Sequence, residues 1–198
     1  MLRLAEKMSR LGTETAFDVL ARAETLAQEG RDIINLGIGQ PDFKTPEHIV
    51  EAAIKALHDG HHGYTPSPGI PHLRESVARD LATYRGVNVA PDRIVIVPGG
   101  KVTMFFAILM FGEAGVDILY PNPGFPIYQS VIEFTGARAV PVRLLEENDF
   151  SFDAETILSQ ITEDTRLLIL NSPANPTGGA ASKTEMDRLV AGLTDRHP

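Results

Sequence analysis

Three loops in this sequence carry side chains and backbone suited to holding a flat, anionic ligand, and each follows a short apolar run. Pro98-Gly-Gly-Lys101 comes after Ile94-Val-Ile-Val97. Two glycines let the backbone approach a ligand closely, and a helix starting there offers free N–H groups and its positive dipole end to an anion. Pro121-Asn-Pro-Gly-Phe-Pro-Ile-Tyr128 comes after Val116-Asp-Ile-Leu-Tyr120. Phe125, held between prolines, can stack on a heteroaromatic ring. Asn171-Ser-Pro-Ala-Asn-Pro-Thr-Gly178 comes after Leu167-Leu-Ile-Leu170, and its Asn171 and Asn175 can donate to an oxygen anion. Ordinary turn chemistry accounts for any one of these residues. It does not account for the ordered set after three separate strands.

Commoner motifs fail on single positions. A nucleotide-binding P-loop would need Gly at 95 and Ser or Thr at 102, where the chain has Val95 and Val102. Gly37-Ile-Gly39 has Asp42 where a dinucleotide fingerprint needs its third glycine. No Gly-x-Ser-x-Gly elbow or His-Glu-x-x-His helix is present. His58, Asp59, His61 and His62 are close in sequence, but Gly60 breaks the spacing that would align them, so no metal site is expected.

The elements that must position these loops read as strands alternating with helices. Residues Leu2 to Gly30 have helical spacing, and Ile33 to Phe43 reads as a short strand running into a loop. Thr45-Pro46-Glu47 has the look of an N-cap with Pro at the first helical position, opening a helix with Ile49, Ala52, Ala53, Ala56 and Leu57 on one face. The Gly/Pro/His-rich loop Gly60 to Pro71 leads to a helix carrying Leu73, Val77, Leu81 and Tyr84. Strands are then expected at 94–97, 116–120, 139–142 and 167–170, with helices running to about Phe111, through Val131 and Phe134, from about Asp153, and from Lys183 to Leu193. This alternation predicts a three-layer α/β/α fold with a mostly parallel sheet, preceded by a helical arm.

The composition excludes several functions. A net charge of −8 without a Lys/Arg cluster argues against nucleic acid or an anionic membrane as partner. The absence of cysteine removes disulfides, thiol catalysis and thiolate metal sites. Charged residues interrupt the start of the chain where a signal peptide would be apolar, and no run reaches the length of a membrane span, so a cytoplasmic protein is expected.

Taken together, Asn35 to Phe43, Tyr64 with Pro68 to Glu75, Gly99-Gly-Lys101, Pro121 to Tyr128 and Asn171 to Gly178 resemble the class I and II aminotransferases, the pyridoxal-phosphate-dependent fold-type-I group. The resemblance spans nearly the whole chain and the first half or so of a typical member. It implies an N-terminal arm and part of a small domain over 1–45, and the first part of the cofactor-binding large domain over 46–198. It implies that Gly100 and Lys101 offer N–H groups to the phosphate of pyridoxal 5′-phosphate, and that Phe125 stacks on its ring, where other members carry Tyr or Trp. By the same resemblance Asn175 bonds the phenolic oxygen, Gly39 lies by the substrate carboxylate, and Tyr64 reaches the phosphate held by a second copy in a homodimer. The implied substrates are an amino acid and a 2-oxo acid.

The family's Schiff-base lysine, the Asp beside its pyridine nitrogen and its substrate-clamping Arg match no position here. Lys7, Lys44, Lys55, Lys101 and Lys183 lie outside the family's lysine motif. The chain is therefore expected to be the N-terminal portion of an aminotransferase, inactive alone, with no catalytic residue of its own. A β-lyase on the same scaffold, a non-catalytic binder of a phosphate ligand and one half of a split protein are the alternatives. Arg138 and Arg143 flank a strand and read as surface charges rather than ligands for an acidic substrate.

Overall fold

The computed structural model describes residues 3–12, 15–37 and 39–196; expectations touching Leu2, Thr13, Glu14, Ile38 and Pro198 lie outside the described residues. The chain forms two compact units, one of Ala16–Gly100 and one of Met1–Thr15 with Lys101–Pro198.

The first unit contains α1 (Thr15–Gln28), α2 (Glu47–His58) and α3 (Pro71–Asp80). α3 runs on into a π-helical turn, Leu81–Arg85, that closes at Gly86 in the left-handed region. α2 starts one residue later than the sequence implies: Pro46 is its N-cap, and no side chain caps the first turn. Its apolar face is open, with Ile49 50% and Leu57 62% exposed.

Two expected strands do not form. Residues 33–37 and 39–43 are irregular, and Ile34 and Leu36 both face solvent. Ile94–Val97 is not part of a sheet, and some of its backbone groups bond the segment before it. The Ile96 N–H donates to the Pro68 carbonyl at 3.0 Å, and the Ile94 carbonyl accepts Arg74 Nε–H at 2.9 Å.

The second unit holds α4 (Gly100–Phe111) from Lys101 onward, β1 (Asp117–Asn122), α5 (Ile127–Thr135), β2 (Arg138–Arg143), α6 (Ala154–Gln160), β3 (Thr165–Leu168) and α7 (Lys183–Arg196). The strands form a parallel sheet in the order β2-β1-β3. β1 is central, and its side chains alternate between two cores, as the pleat requires. Ile118 and Tyr120 join Ile108 of α4 and Tyr128, Val131 and Ile132 of α5. Leu119 joins Ile157 and Leu158 of α6 and Leu189 of α7. Both faces are covered, so the three-layer α/β/α architecture is present. Asp153 caps α6 by accepting the Thr156 N–H at 2.7 Å.

The single helix expected over Leu2 to Gly30 is divided. A 3₁₀ turn spans Glu6–Arg10, Leu11 is extended, and α1 follows. Gly12 is held out of any helical ladder by Ser130, whose Oγ accepts its N–H at 2.9 Å and donates to its carbonyl at 3.2 Å. Arg10 Nε–H also donates to the Glu133 carbonyl near the end of α5, at 3.0 Å.

At the amino ends of the strands sits Asp117, a buried acid only 3% exposed. It accepts both Nε–H (2.6 Å) and Nη2–H of Arg138, its register partner on β2, and the Thr162 hydroxyl at 3.3 Å from the segment before β3. Arg138 is therefore more than the surface charge expected of it. Its hydrogen bonds hold the Asp117 carboxyl below the ordinary value of 3.8, against the opposing effect of burial. A lowered folded-state value means that the stabilisation is complete above the unfolded value and is lost as pH falls through the folded one. Asp117→Asn should lower the melting temperature at neutral pH by roughly 5 °C. In thermal melts at a series of pH values, the gap from the native protein should narrow through the acid range.

Candidate functional site

The first residues of α4 follow a chain reversal at Gly99, whose φ of +84° belongs to the left-handed region and whose N–H donates to the Val97 carbonyl at 2.9 Å. A Cβ placed on Gly99 or Gly100 would meet nothing within 4 Å, so the backbone at the start of α4 faces open space. A helix of 12 residues beginning in open space presents N–H groups to an anion. The Lys101 ammonium lies 5.5 Å from the centre of the Phe125 ring, at cation–π range.

Phe125 sits on the loop that leaves β1. It is half-buried and meets the Tyr128 ring edge-on, with centroids 6.1 Å apart and planes at 77°. Tyr128 is buried in the α4–α5 core, and that burial pushes its phenol pKa up, so it stays neutral and serves Phe125 as a fixed wall. The loop contains a cis Asn122-Pro123 bond.

The third loop is knit by its own groups. The Ile169 N–H still pairs with the Leu119 carbonyl at 2.9 Å, so β3 delivers the chain to Asn171 at the carboxyl edge of the sheet. Asn171 Oδ1 accepts the Asn175 N–H at 2.8 Å, and Asn171 Nδ2 donates to the Pro173 carbonyl at 3.3 Å. Ala174 N–H donates to the Gly179 carbonyl and Gly178 N–H to the Ala174 carbonyl, at 2.8 and 2.7 Å. Ser172 Oγ accepts the Ala181 N–H at 2.8 Å. Ser172-Pro173 and Asn175-Pro176 are both cis. Asn175 itself is exposed.

β1 and β3 are parallel neighbours, so the Phe125 loop and the Asn175 turn leave the same edge of the sheet. Lys101, Phe125 and Asn175 all belong to this unit. Gly39, Tyr64 and Gly100 belong to the other one: Gly39 has open space where a side chain would be, Tyr64 is fully exposed, and Gly100 is its last residue. Asp59 pairs with Lys55 at 2.5 Å, and among the described residues no three His, Asp or Glu side chains converge. No helix among them is long and apolar enough to cross a membrane.

Sequence reading missed Ser130, Arg10 and Ser172. The first two meet partners more than a hundred residues away, a pairing no local pattern announces. The signal for Ser172 was in view, because a Ser in a turn next to Pro173 is a natural acceptor for a stray N–H.

Comparison with known proteins places this geometry in context. Residues 31–197 match the family described as aminotransferase class I and II. The aspartate aminotransferase of Bacillus subtilis is 33% identical over 188 residues, covering 95% of this chain and 48% of the relative. The aspartate/prephenate aminotransferase of Thermus thermophilus is 34% identical over 190 residues, covering 96% and 48%. Among solved structures, aspartate aminotransferase from Thermus thermophilus with maleate superimposes with a TM-score of 0.92 at 32% identity, covering 100% of this chain and 52% of that one. The chain thus spans about half the length of the relatives it matches.

The backbone at Gly99 gives a direct test of the α4 start. Gly99→Ala places a Cβ on a left-handed residue, and should cost about 1 kcal/mol in urea unfolding although the space beside it is open.

Proposed function

The chain belongs to the class I and II aminotransferase family, and from that premise we propose that it is the N-terminal, cofactor-holding portion of a protein that transfers an amino group from an amino acid to a 2-oxo acid with pyridoxal 5′-phosphate as cofactor, and that this portion alone is inactive. The observation that carries the reading is the grouping of Lys101, Phe125 and Asn175 in one unit, with the Phe125 loop and the Asn175 turn on one edge of a parallel sheet. Ligands of open α/β sheets bind at that edge.

The residues fit the group. The N–H groups of Gly100 and Lys101 at the open start of α4 would take the phosphate. The Phe125 ring, braced by Tyr128, would cover one face of the pyridine. The exposed Asn175 amide would donate to the ring oxygen and favour its ionised form. When bound, the cofactor supplies an electron sink for the substrate's amino carbon.

By the same reading Gly39 lies beside the substrate carboxylate. Tyr64 serves the phosphate of a second copy, making the protein a cytoplasmic homodimer. Residues 1–45 then form the arm and part of a small domain, and 46–198 the first part of the cofactor domain. The names of the relatives put aspartate first among the amino donors to try.

Fluorescence titration of the purified protein with pyridoxal 5′-phosphate tests the cofactor reading, and an aspartate and 2-oxoglutarate assay is expected to show turnover in the full-length protein and none from these 198 residues alone. Asn175→Ala should weaken cofactor binding by roughly tenfold or more, and Phe125→Ala should weaken it as well. Native affinity in the Phe125→Ala/Asn175→Ala double variant would overturn the reading.

A further inference from the structure

Asn171 stands four residues ahead of Asn175, and its side chain is turned back into the loop. Its Oδ1 takes the Asn175 N–H at 2.8 Å while its Nδ2 donates to the Pro173 carbonyl at 3.3 Å. Only this amide orientation satisfies both partners, since the flipped form would set donor against donor and acceptor against acceptor. Prolines at 173 and 176 remove two N–H groups from the turn. Asn175 directly precedes one of these prolines, and its own N–H is satisfied by a side chain.

The residues around Asn175 are fixed independently. Ala174 is buried and bonded to Gly179 through its N–H. Gly179 lies against a neighbouring loop so closely that a Cβ there would come within 2.6 Å of the Asp149 carbonyl oxygen and 2.5 Å of that of Phe150. Asp149 and Phe150 are themselves in the left-handed region, at φ of 50° and 53°. The far side of the turn is thus clamped by packing, and the near side is tied to Asn171.

We propose that Asn171 is the positioning residue for Asn175: its side-chain amide fixes the Asn175 backbone, so that the Asn175 side chain is presented at the sheet edge without reordering when a ligand arrives. The proposal rests on the reading of Asn175 as a cofactor contact, and it adds a second residue to that site. Preorganisation of this kind raises affinity by removing an ordering cost rather than by adding a contact to the ligand.

Two readouts test it on the whole protein. Amide hydrogen exchange at Asn175, measured without cofactor, should become about tenfold faster in Asn171→Ala. It should stay close to native in Asn171→Asp, which keeps an acceptor oxygen. Fluorescence titration with pyridoxal 5′-phosphate on Asn171→Ala, Asn175→Ala and the double variant should show a loss of about tenfold in the first. The double variant should bind within about twofold of Asn175→Ala alone, because Asn171 acts through Asn175. If Asn171→Ala does not fold, Asn171→Ser carries the same comparisons, as its shorter side chain falls short of the Asn175 N–H. Unchanged exchange at Asn175, or losses that add in the double variant, overturns the proposal and leaves the cofactor reading standing. Native affinity in Asn175→Ala overturns the cofactor reading and, with it, the assignment of Asn171 to that site.

Discussion

The pairing of Asp117 with Arg138 is the constraint on which the sheet-bearing unit depends. Asp117 and Arg138 are opposite one another in the β1–β2 register, and both side chains are committed to each other through two hydrogen bonds. A slip of one residue would leave a buried carboxylate without its partner, and would also move Ile118 and Tyr120 from one core to the other. Thr162 extends the same lock to the entry of β3, where the Asp117 N–H bonds the Asp164 carbonyl at 2.9 Å. The amino ends of all three strands are tied at one acid.

Because the strands are parallel, fixing one end fixes what leaves the other. The register that Asp117 sets carries through Leu119 and Val140 to the pairing of Pro121 with Val142, and β1 then releases the loop holding Phe125. The same strand, through the Leu119 carbonyl, holds Ile169 and so sets the start of the Asn171 turn. Phe125 and Asn175 take their places from a single central strand. The arm supplies a second tie: Ser130 and the C-terminal turn of α5 are bound by Gly12 and Arg10, on the helix that directly follows the Phe125 loop.

The layered fold was legible because parallel strands buried on both faces appear as apolar runs, and β1, β2, β3 and the helices around them were found within a few residues. The three loops were legible because Gly, Pro and Asn have narrow conformational uses. What stayed hidden was partner choice. Ile94–Val97 has the composition of a buried strand, yet Val95 is 63% exposed and the backbone there bonds a loop whose sequence gives no sign of it. The Leu2–Gly30 spacing is helical throughout, but the bonds from Ser130 to Gly12 outweigh it locally. Arg138 looked like a surface charge because its partner lies 21 residues away across a strand pair, a distance at which residue type alone carries no information.

The net charge explains why the candidate site is made as it is. A chain at −8 repels an anion at long range, so a phosphate would have to be held by donors acting at contact distance. The groups available are mostly neutral: backbone N–H groups at the start of α4 and the Asn175 amide. Neutral donors avoid the desolvation that a buried cation would incur, and they are little screened by salt. Their strength depends on being aimed, since a misdirected amide is worth little more than water. That dependence links the distant Asp117 lock to the loops. In a site whose donors are mostly neutral, affinity is set by how firmly the backbone holds each donor in place, and so by the register of the sheet beneath it.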